Sequence, residues 1–260
     1  MPYFSIRTVS LAAISVLALS LHAEPVKPAA QPAPKPAPKP ENLNEWMGYK
    51  RINFLIDGKK SWLVLPKQPA KGKPWAWRTE FFGHEPQGDV ALLGKGFHIA
   101  YTDMTNMYGA PAALDQMDKF YDQLVEQHQL SSKAVLEGFS RGGLFALNWA
   151  IRHPDRTACL YLDAPVCDIT SWPAGFGTGK GSPADWERCK GLYGIKDDAE
   201  ARTANLGPIH HMAALAKARV PILSVVGDAD KVVPLAENSA LLKTRYEALG
   251  GLMEMIVKPG

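Results

Sequence analysis

The sequence predicts an α/β protein with a mostly parallel, twisted sheet that helices cover on both faces. From Trp46 onward, apolar segments of strand length alternate with segments of helix length. Segments of helix length between two strands suit the crossover connections of a parallel sheet, in which a helix carries the chain back to the start of the next strand. The 260 residues are enough for one such domain with a sizeable core, plus shorter appendages.

The predicted elements follow in a regular order. Arg51–Ile56 and Ser61–Leu65 predict an antiparallel hairpin that turns at Asp57 and Gly58. Further strands are predicted at Lys73–Arg78, Phe97–Tyr101, Lys133–Glu137, Ala158–Leu162, Ile222–Val226 and Leu252–Val257. Helices are predicted at Gln87–Leu93, from Pro111 onward, at Gly143–Ile151 and at Leu235–Leu249.

The first 40 residues have the pattern of a processing signal and a spacer. Arg7 precedes an apolar run from Val9 to Leu21 and a small-residue cleavage site at Ala23, as in a secretory signal peptide over residues 1–23. Residues 24–40 are Pro/Ala/Lys repeats that predict an extended polyproline linker. We therefore expect an exported protein, periplasmic or secreted, with its domain at residues 41–260 and no stable membrane span after signal cleavage.

The net charge of +3 lies entirely in this leading segment. Residues 1–40 contain Arg7, Lys27, Lys35 and Lys39 against Glu24, so the remaining residues are neutral overall. A domain without basic character does not predict a nucleic-acid partner.

The most informative motif is Gly-x-Ser-x-Gly at residues 138–142, with Ser140 at its centre. It stands between a predicted strand and a predicted helix. A sharp strand-to-helix turn needs small flanking residues and lifts the serine hydroxyl clear of the sheet. A serine becomes a nucleophile when an imidazole takes its proton and a carboxylate orients that imidazole. The motif and its context therefore predict acyl transfer at Ser140.

With this motif and strand order, the chain resembles the α/β-hydrolase superfamily, in its serine esterase and prolyl-oligopeptidase-like branch. The resemblance covers Trp46 to the C-terminus and implies Ser140 as the nucleophile. Residues 227–234 resemble the family's Gly-x-x-Asp-x-x-Val-Pro turn, which implies Asp230 as the acid. Asp228 and Asp163 remain alternatives.

The elbow geometry also implies that the backbone N–H of Arg141 is one donor of an oxyanion hole. The second donor is expected in residues 77–82, with Thr79 as the candidate. Arg78 and Glu80, in the same segment, are alternatively interpreted as a structural ion pair.

The base departs from the family pattern, because all seven histidines of the sequence precede Asp230. One explanation is a histidine beyond Gly260 in a longer protein, and the other is a protein without its base. His84 and the pair His210–His211 are weaker substitutes, and no metal-binding spacing accompanies them. We expect little or no turnover from residues 1–260 alone.

Residues 164–207 interrupt the alternation and predict a cap insertion, called the cap below. Its Trp172 and Trp186 are candidate substrate contacts, since flat aromatic faces suit sugar rings or acyl groups. Cys167 and Cys189 bracket the turn-rich part of the cap, and the sequence leaves open whether they pair.

These observations predict an exported serine hydrolase without a cofactor or metal. The first hypothesis is a carboxylesterase acting on a small-molecule or polysaccharide ester through a Ser-Asp-His acyl-enzyme mechanism. A prolyl-oligopeptidase-like peptidase is the alternative within enzymes. A catalytically dead binding module that lacks the triad histidine is the alternative of another class.

Overall fold

A computed structural model describes residues 42–259, so the predicted signal peptide and linker lie outside the described residues. The strands of this range are β1 (Asn42–Trp46), β2 (Tyr49–Ile56), β3 (Lys59–Val64), β4 (Trp75–Arg78), β5 (His98–Thr102), β6 (Ala134–Phe139), β7 (Thr157–Asp163), β8 (Ile222–Gly227) and β9 (Met253–Lys258). Its α-helices are α1 (Gln87–Gly94), α2 (Pro111–Gln127), α3 (Gly142–Arg152), α4 (Pro183–Tyr193), α5 (Asp198–Thr203), α6 (Ala213–Lys217) and α7 (Ser239–Ala248).

The strands form one sheet in the order β1-β2-β3-β5-β4-β6-β7-β8-β9. β1, β2 and β3 are antiparallel to their neighbours, and β3 is antiparallel to β5. From β5 and β4 through β9 the pairings are parallel. The predicted fold class is confirmed, and the parallel strands direct their carboxyl ends to one edge of the sheet.

The predicted hairpin is confirmed between β2 and β3. Asp57 and Gly58 have φ values of 48° and 77°, the left-handed pair that a two-residue turn requires. β1 extends the sheet beyond the elements that the sequence predicted. It has no alternating apolar pattern of its own and is held by backbone pairing to β2.

The cap contains more regular structure than its turn-rich sequence predicts. Pro183 opens α4, and Gly194 ends it in the left-handed conformation. α5 follows, with the Asp197 side chain accepting a hydrogen bond from the Glu200 N–H as its N-terminal cap. These local signals were present, but the preceding glycines obscured them.

The sheet and α3 pack so closely that glycine is required at the contact. A Cβ on Gly138 would lie 2.9 Å from the Cα of Gly143. The core around this contact includes fully buried Trp75, Trp77 and Trp149. Trp75 and Trp77 are therefore core residues.

All three cysteines are buried and free, so Cys167 and Cys189 do not form the disulfide that the sequence left open. Burial raises the pKa of the Cys189 thiol to about 12, which keeps it protonated and unreactive at neutral pH. Among residues 42–259, no helix has the length and apolar character to cross a membrane.

Candidate active site

Ser140 lies at the apex of the turn between β6 and α3 with φ of 52°, in the left-handed region that a serine rarely adopts. Its N–H donates to the Asp163 carbonyl at 2.9 Å, and its carbonyl accepts from the N–H groups of Gly143 at 3.0 Å and Val166 at 2.9 Å. Three backbone hydrogen bonds thus hold the strained residue in place. The residue is half-buried at the carboxyl edge of the sheet, as the sequence predicted for a nucleophile elbow.

Two glycines after Ser140 let neighbouring segments approach the elbow. A Cβ on Gly142 would lie 3.1 Å from both the Glu80 Cβ and the Thr79 Oγ1. A Cβ on Gly143 would lie 2.7 Å from the Pro165 Cβ. The segments that follow β4 and β7 therefore meet the start of α3 with no room for a side chain.

The backbone N–H of Arg141 is available as an oxyanion donor. Arg141 immediately precedes α3, and no acceptor among residues 42–259 takes its hydrogen. An N–H at the first turn of a helix also lies at the positive end of the helix dipole. Its role in catalysis stays a prediction.

The donors of Thr79, the candidate for the second oxyanion donor, are engaged elsewhere. Its N–H donates to the Glu137 carbonyl at 3.1 Å, and its hydroxyl contacts the carbonyls of Glu137 at 2.8 Å and Gly142 at 2.9 Å. Both donors of Thr79 are therefore used to fix β4 to the elbow. The next N–H groups, of Glu80 and Phe81, have no acceptor within residues 42–259, and Phe81 has φ of 54°.

Glu80 pairs with Arg141, and the ion pair suggested between Arg78 and Glu80 is not formed. Arg141 Nη2 lies 2.8 Å and Nε 3.2 Å from the same oxygen, Glu80 Oε1. The Glu80 side chain is 2% exposed and that of Arg141 18% exposed. Burial raises the pKa of the Glu80 carboxyl, and the Arg141 guanidinium opposes that rise.

Arg78 belongs to a second buried cluster on one face of the sheet. Its Nη1 lies 2.9 Å from Asp89 Oδ2 and 3.8 Å from Glu137 Oε2. Burial, and then the neighbouring Asp89, raise the pKa of Glu137 well above its ordinary value. One guanidinium cannot neutralise two buried carboxylates, so the cluster favours the protonated form of one of them.

Asp230 follows the carboxyl end of β8, and β7 separates that strand from β6 and Ser140. Its Oδ1 accepts from the N–H groups of Val232 at 2.8 Å and Val233 at 2.9 Å. These bonds fix the carboxylate in its turn and leave Oδ2 for a further donor. Asp228, the runner-up, is exposed and continues the pairing with β9 through its N–H.

None of the histidines in residues 42–259 is hydrogen-bonded to Ser140 or Asp230. His84 stacks on Phe139, with ring centroids 5.1 Å apart, and is exposed. His210 contacts a carboxylate of the cap and an arginine of α7. The remaining histidines contact groups of other elements: His98, His128, His153 and His211. The described residues thus bring no imidazole to the predicted serine and acid.

Trp186, a predicted substrate contact, is buried inside the cap. It is 5% exposed and lies in the apolar core of the cap, where its Nε1 donates to Asp198 Oδ1 at 2.8 Å. Trp172 is half-buried, with its ring centroid 6.1 Å from that of Tyr108. Trp172 remains a candidate substrate contact.

Tyr108 joins the cap to the loop after β5, a link that the sequence did not predict. Its hydroxyl donates to Asp185 Oδ1 of α4 at 2.6 Å, and its carbonyl accepts from the Tyr193 hydroxyl at 2.9 Å. Burial raises the pKa of Tyr108 to about 12, so the hydroxyl stays a donor at neutral pH.

Among residues 42–259, no group of three or more His, Cys, Asp or Glu could hold a metal ion.

Solved structures of serine peptidases share this fold. An acylaminoacyl peptidase in complex with Z-Gly-Gly-Phe-chloromethyl ketone matches with a TM-score of 0.61 at 16% identity over 82% of this chain and 37% of its own. Dipeptidyl peptidase 4 from Porphyromonas gingivalis matches with a TM-score of 0.62 at 16% identity over 81% of this chain and 32% of its own. An orthorhombic crystal form of Pyrococcus horikoshii acylaminoacyl peptidase gives 0.61 at 18% identity over 85% and 38%. The chain thus matches about a third of the length of these proteins, and the likeness shows the fold alone.

Sequence comparison gives the family. No curated protein matches the chain. The sequence model of the prolyl oligopeptidase family matches residues 94–260, which is more than half of the chain and includes the elbow, the cap and the acid turn. Together with the α/β-hydrolase fold and a serine at a strained elbow, this match shows that the chain belongs to the prolyl oligopeptidase family of serine hydrolases.

Proposed function

We propose that this protein hydrolyses carboxylic esters through an acyl-enzyme intermediate on Ser140. The observation that carries the proposal is the φ of 52° at Ser140, held by three backbone hydrogen bonds beside a vacant Arg141 N–H. Backbone strain of this kind costs about 1–3 kcal/mol and persists where the surroundings impose it, often at a functional site. Family membership supports the same reaction type.

Each group has one role in the proposed reaction. The Ser140 Oγ attacks the acyl carbon, and a base takes its proton. The Arg141 N–H donates to the oxyanion that forms. The base then protonates the leaving alkoxide, and water attacks the acyl-enzyme to release the acid. Asp230 orients the base through the carboxylate oxygen that its own turn leaves open.

The base is proposed to be a histidine C-terminal to Gly260. The order serine, acid, histidine is the one that the resemblance to α/β-hydrolases implies. The contacts of the described histidines lie elsewhere, which supports a histidine outside residues 42–259. In the proposed relay this imidazole lies between Ser140 and Asp230.

A peptide substrate is the second candidate, and the family match favours it. The two substrates differ in the leaving group: an amine must be protonated as it departs, whereas an alkoxide is a better leaving group. The chain spans only 32–38% of the length of the solved peptidases, and we therefore do not transfer their substrates to it. The half-buried Trp172 beside Tyr108 supports an ester linked to a carbohydrate, since aromatic faces stack on sugar rings.

A fluorophosphonate probe on the full-length protein tests the nucleophile. We expect labelling at Ser140 and none in the variant Ser140→Ala. Absence of labelling in the parent protein would contradict the enzyme proposal and favour a binding module. A panel of short-chain esters and of aminoacyl and acyl peptides then separates the substrates. Peptide cleavage without ester turnover would replace the first candidate with the second.

A pair of aspartate variants tests the acid. Asp230→Asn should lower kcat by about 10⁴-fold, because an amide stabilises the wrong imidazole tautomer. Asp228→Asn is the matched control from the same turn and should keep kcat within about threefold, as expected for an exposed surface residue. A larger loss at Asp228 than at Asp230 would exchange their roles.

The export proposal has its own test. Residues 1–23 are proposed to direct the protein across a membrane and to be removed. Fractionation of expressing cells should find the parent protein outside the cytoplasm, beginning near Glu24, and a variant without residues 2–23 in the cytoplasm. Parent protein retained in the cytoplasm with its N-terminus intact would contradict export.

A further inference from the structure

The ion pair between Glu80 and Arg141 connects the two segments that line the predicted oxyanion hole. Arg141 carries the first predicted donor on its own backbone and lies directly after Ser140. Glu80 lies in the loop after β4, where the vacant N–H groups of Glu80 and Phe81 are the remaining candidates for the second donor. The two residues are 61 positions apart in sequence, so their side chains fix a distance that local structure cannot.

The contacts of the Arg141 guanidinium fix it from three sides. Nε and Nη2 both donate to Glu80 Oε1, at 3.2 Å and 2.8 Å. Nη1 donates to Asn106 Oδ1 at 3.3 Å, and the guanidinium carbon lies 5.1 Å from the centre of the Phe81 ring. Phe81 also packs edge-on against Phe139, with ring centroids 5.4 Å apart. The loop after β4 is thus held to the residues on both sides of Ser140.

This ion pair is a weak means of stabilising the fold. Glu80 is 2% exposed, and its second oxygen, Oε2, is buried without a hydrogen-bond partner. Removing a carboxylate from water costs several kcal/mol, and attraction to one guanidinium roughly offsets that cost. An apolar side chain would fill this position with less loss, so the pair is better explained by the geometry that it imposes on the loop and the elbow.

We propose that Glu80 is a positioning residue for the oxyanion hole: its buried carboxylate holds the Arg141 side chain and thereby sets the spacing between the donor on the elbow and the donor on the loop after β4. The inference rests on the proposed function, because it needs a reaction in which a negative oxygen develops at Ser140. Glu80 does not touch the reacting atoms. It acts through Arg141, and its effect belongs to the transition state more than to substrate binding.

The variant Glu80→Gln tests the inference in the full-length protein. Glutamine keeps the length of the side chain and an acceptor oxygen but removes the charge that holds the guanidinium. Misplacement of a donor by a fraction of an ångström should lower kcat by about 10-fold to 100-fold, with KM changed by less than about twofold. The second-order rate of fluorophosphonate labelling at Ser140 should fall with kcat, because the phosphoryl oxygen enters the same hole.

Two further variants separate positioning from general stability. Glu80→Asp restores the charge one methylene short and should recover part of kcat. Arg152→Gln removes an exposed arginine at the other end of α3, which pairs with Asp115 and Asp118, and serves as the matched control. It should leave kcat, KM and the labelling rate unchanged. The melting temperature of every variant is measured and must lie above the assay temperature, which excludes unfolding during the assay.

The outcomes distinguish the inference from the function on which it rests. If the parent protein is not labelled at Ser140, the proposed function fails. If the parent is labelled and Glu80→Gln reacts at the same rate, only the inference fails. It also fails if kcat and KM change together in proportion to a loss of melting temperature, since that result indicates a structural role alone.

Discussion

Two buried ionic clusters lie at the end of β4, and they differ in charge balance. In one, the Glu80 carboxylate has the single guanidinium of Arg141. In the other, Arg78 faces two carboxyl groups, Asp89 and Glu137, on one face of the sheet. In the first, burial raises the pKa of Glu80 and the Arg141 guanidinium opposes that rise. In the second, burial and the neighbouring carboxyl both raise the pKa of Glu137, well above its ordinary value.

Burial alone does not decide whether a charged residue holds a fixed geometry or changes its protonation with pH. Where the charges balance, the pair can fix geometry over a wide pH range. Where they do not, protonation changes the cluster and makes stability depend on pH. The two clusters therefore respond differently to substitution and to pH.

The largest expected effect comes from leaving a buried charge without its partner. Arg141→Ala removes the only guanidinium that contacts the Glu80 carboxylate among residues 42–259, and should lower the free energy of unfolding by about 3–5 kcal/mol. Arg152→Ala, on the same helix, breaks exposed pairs and should cost less than about 1 kcal/mol. Urea unfolding measures both. Equal losses would mean that the Glu80 pair is no more buried in effect than a surface pair.

The second prediction is that the variant Glu137→Gln is more stable than the parent protein at high pH. In the folded state the pKa of Glu137 lies above its unfolded value, so its favourable contribution is present at low pH and is lost as pH rises through the folded pKa. Glu137→Gln mimics the protonated form. It should exceed the parent in stability at pH 8 by about 1 kcal/mol or more, and the two should converge near pH 5. Urea unfolding across pH measures this, and a difference that does not change with pH would contradict a raised pKa at Glu137.

The smallest effect sharpens the comparison. Burial raises the pKa of Glu80 as well, but Arg141 opposes that rise. The stability of Glu80→Gln relative to the parent should therefore change with pH in the same direction, but by less. Between pH 5 and pH 8, the stability gap between Glu80→Gln and the parent should change by less than half of the change seen for Glu137→Gln. If the changes were equal, the charge balance of the two clusters would not be what separates them.

The elbow shows how much of the site could be predicted from the sequence. Ser140, its flanking glycines and the alternation of strand and helix are local signals, and a strand-to-helix turn of that length leaves few conformations for the serine. The hairpin at Asp57 and Gly58 was predicted for the same reason. Family membership and the parallel sheet confirm the predicted fold class and superfamily.

The sequence is least informative for residues whose role depends on distant neighbours. Thr79 lies in the segment predicted to supply the second donor, but its donors are taken by the carbonyls of Glu137 and Gly142. Trp186 is a residue type that suits contact with a sugar, but its side chain is buried in the apolar core of the cap. Composition identifies a residue type that suits a role, whereas only packing decides whether the side chain is available for it.

Local patterns in the sequence predict where the chain forms strands and helices, and which serine lies at the sharp turn, because these follow from periodicity and backbone sterics over a few residues. The pairing of Glu80 with Arg141, and of Arg78 with two carboxyl groups, is visible only in the folded chain. Those partners lie between 11 and 61 residues apart, and the energy of a charge in the interior depends on distance and burial, which the order of residues does not contain.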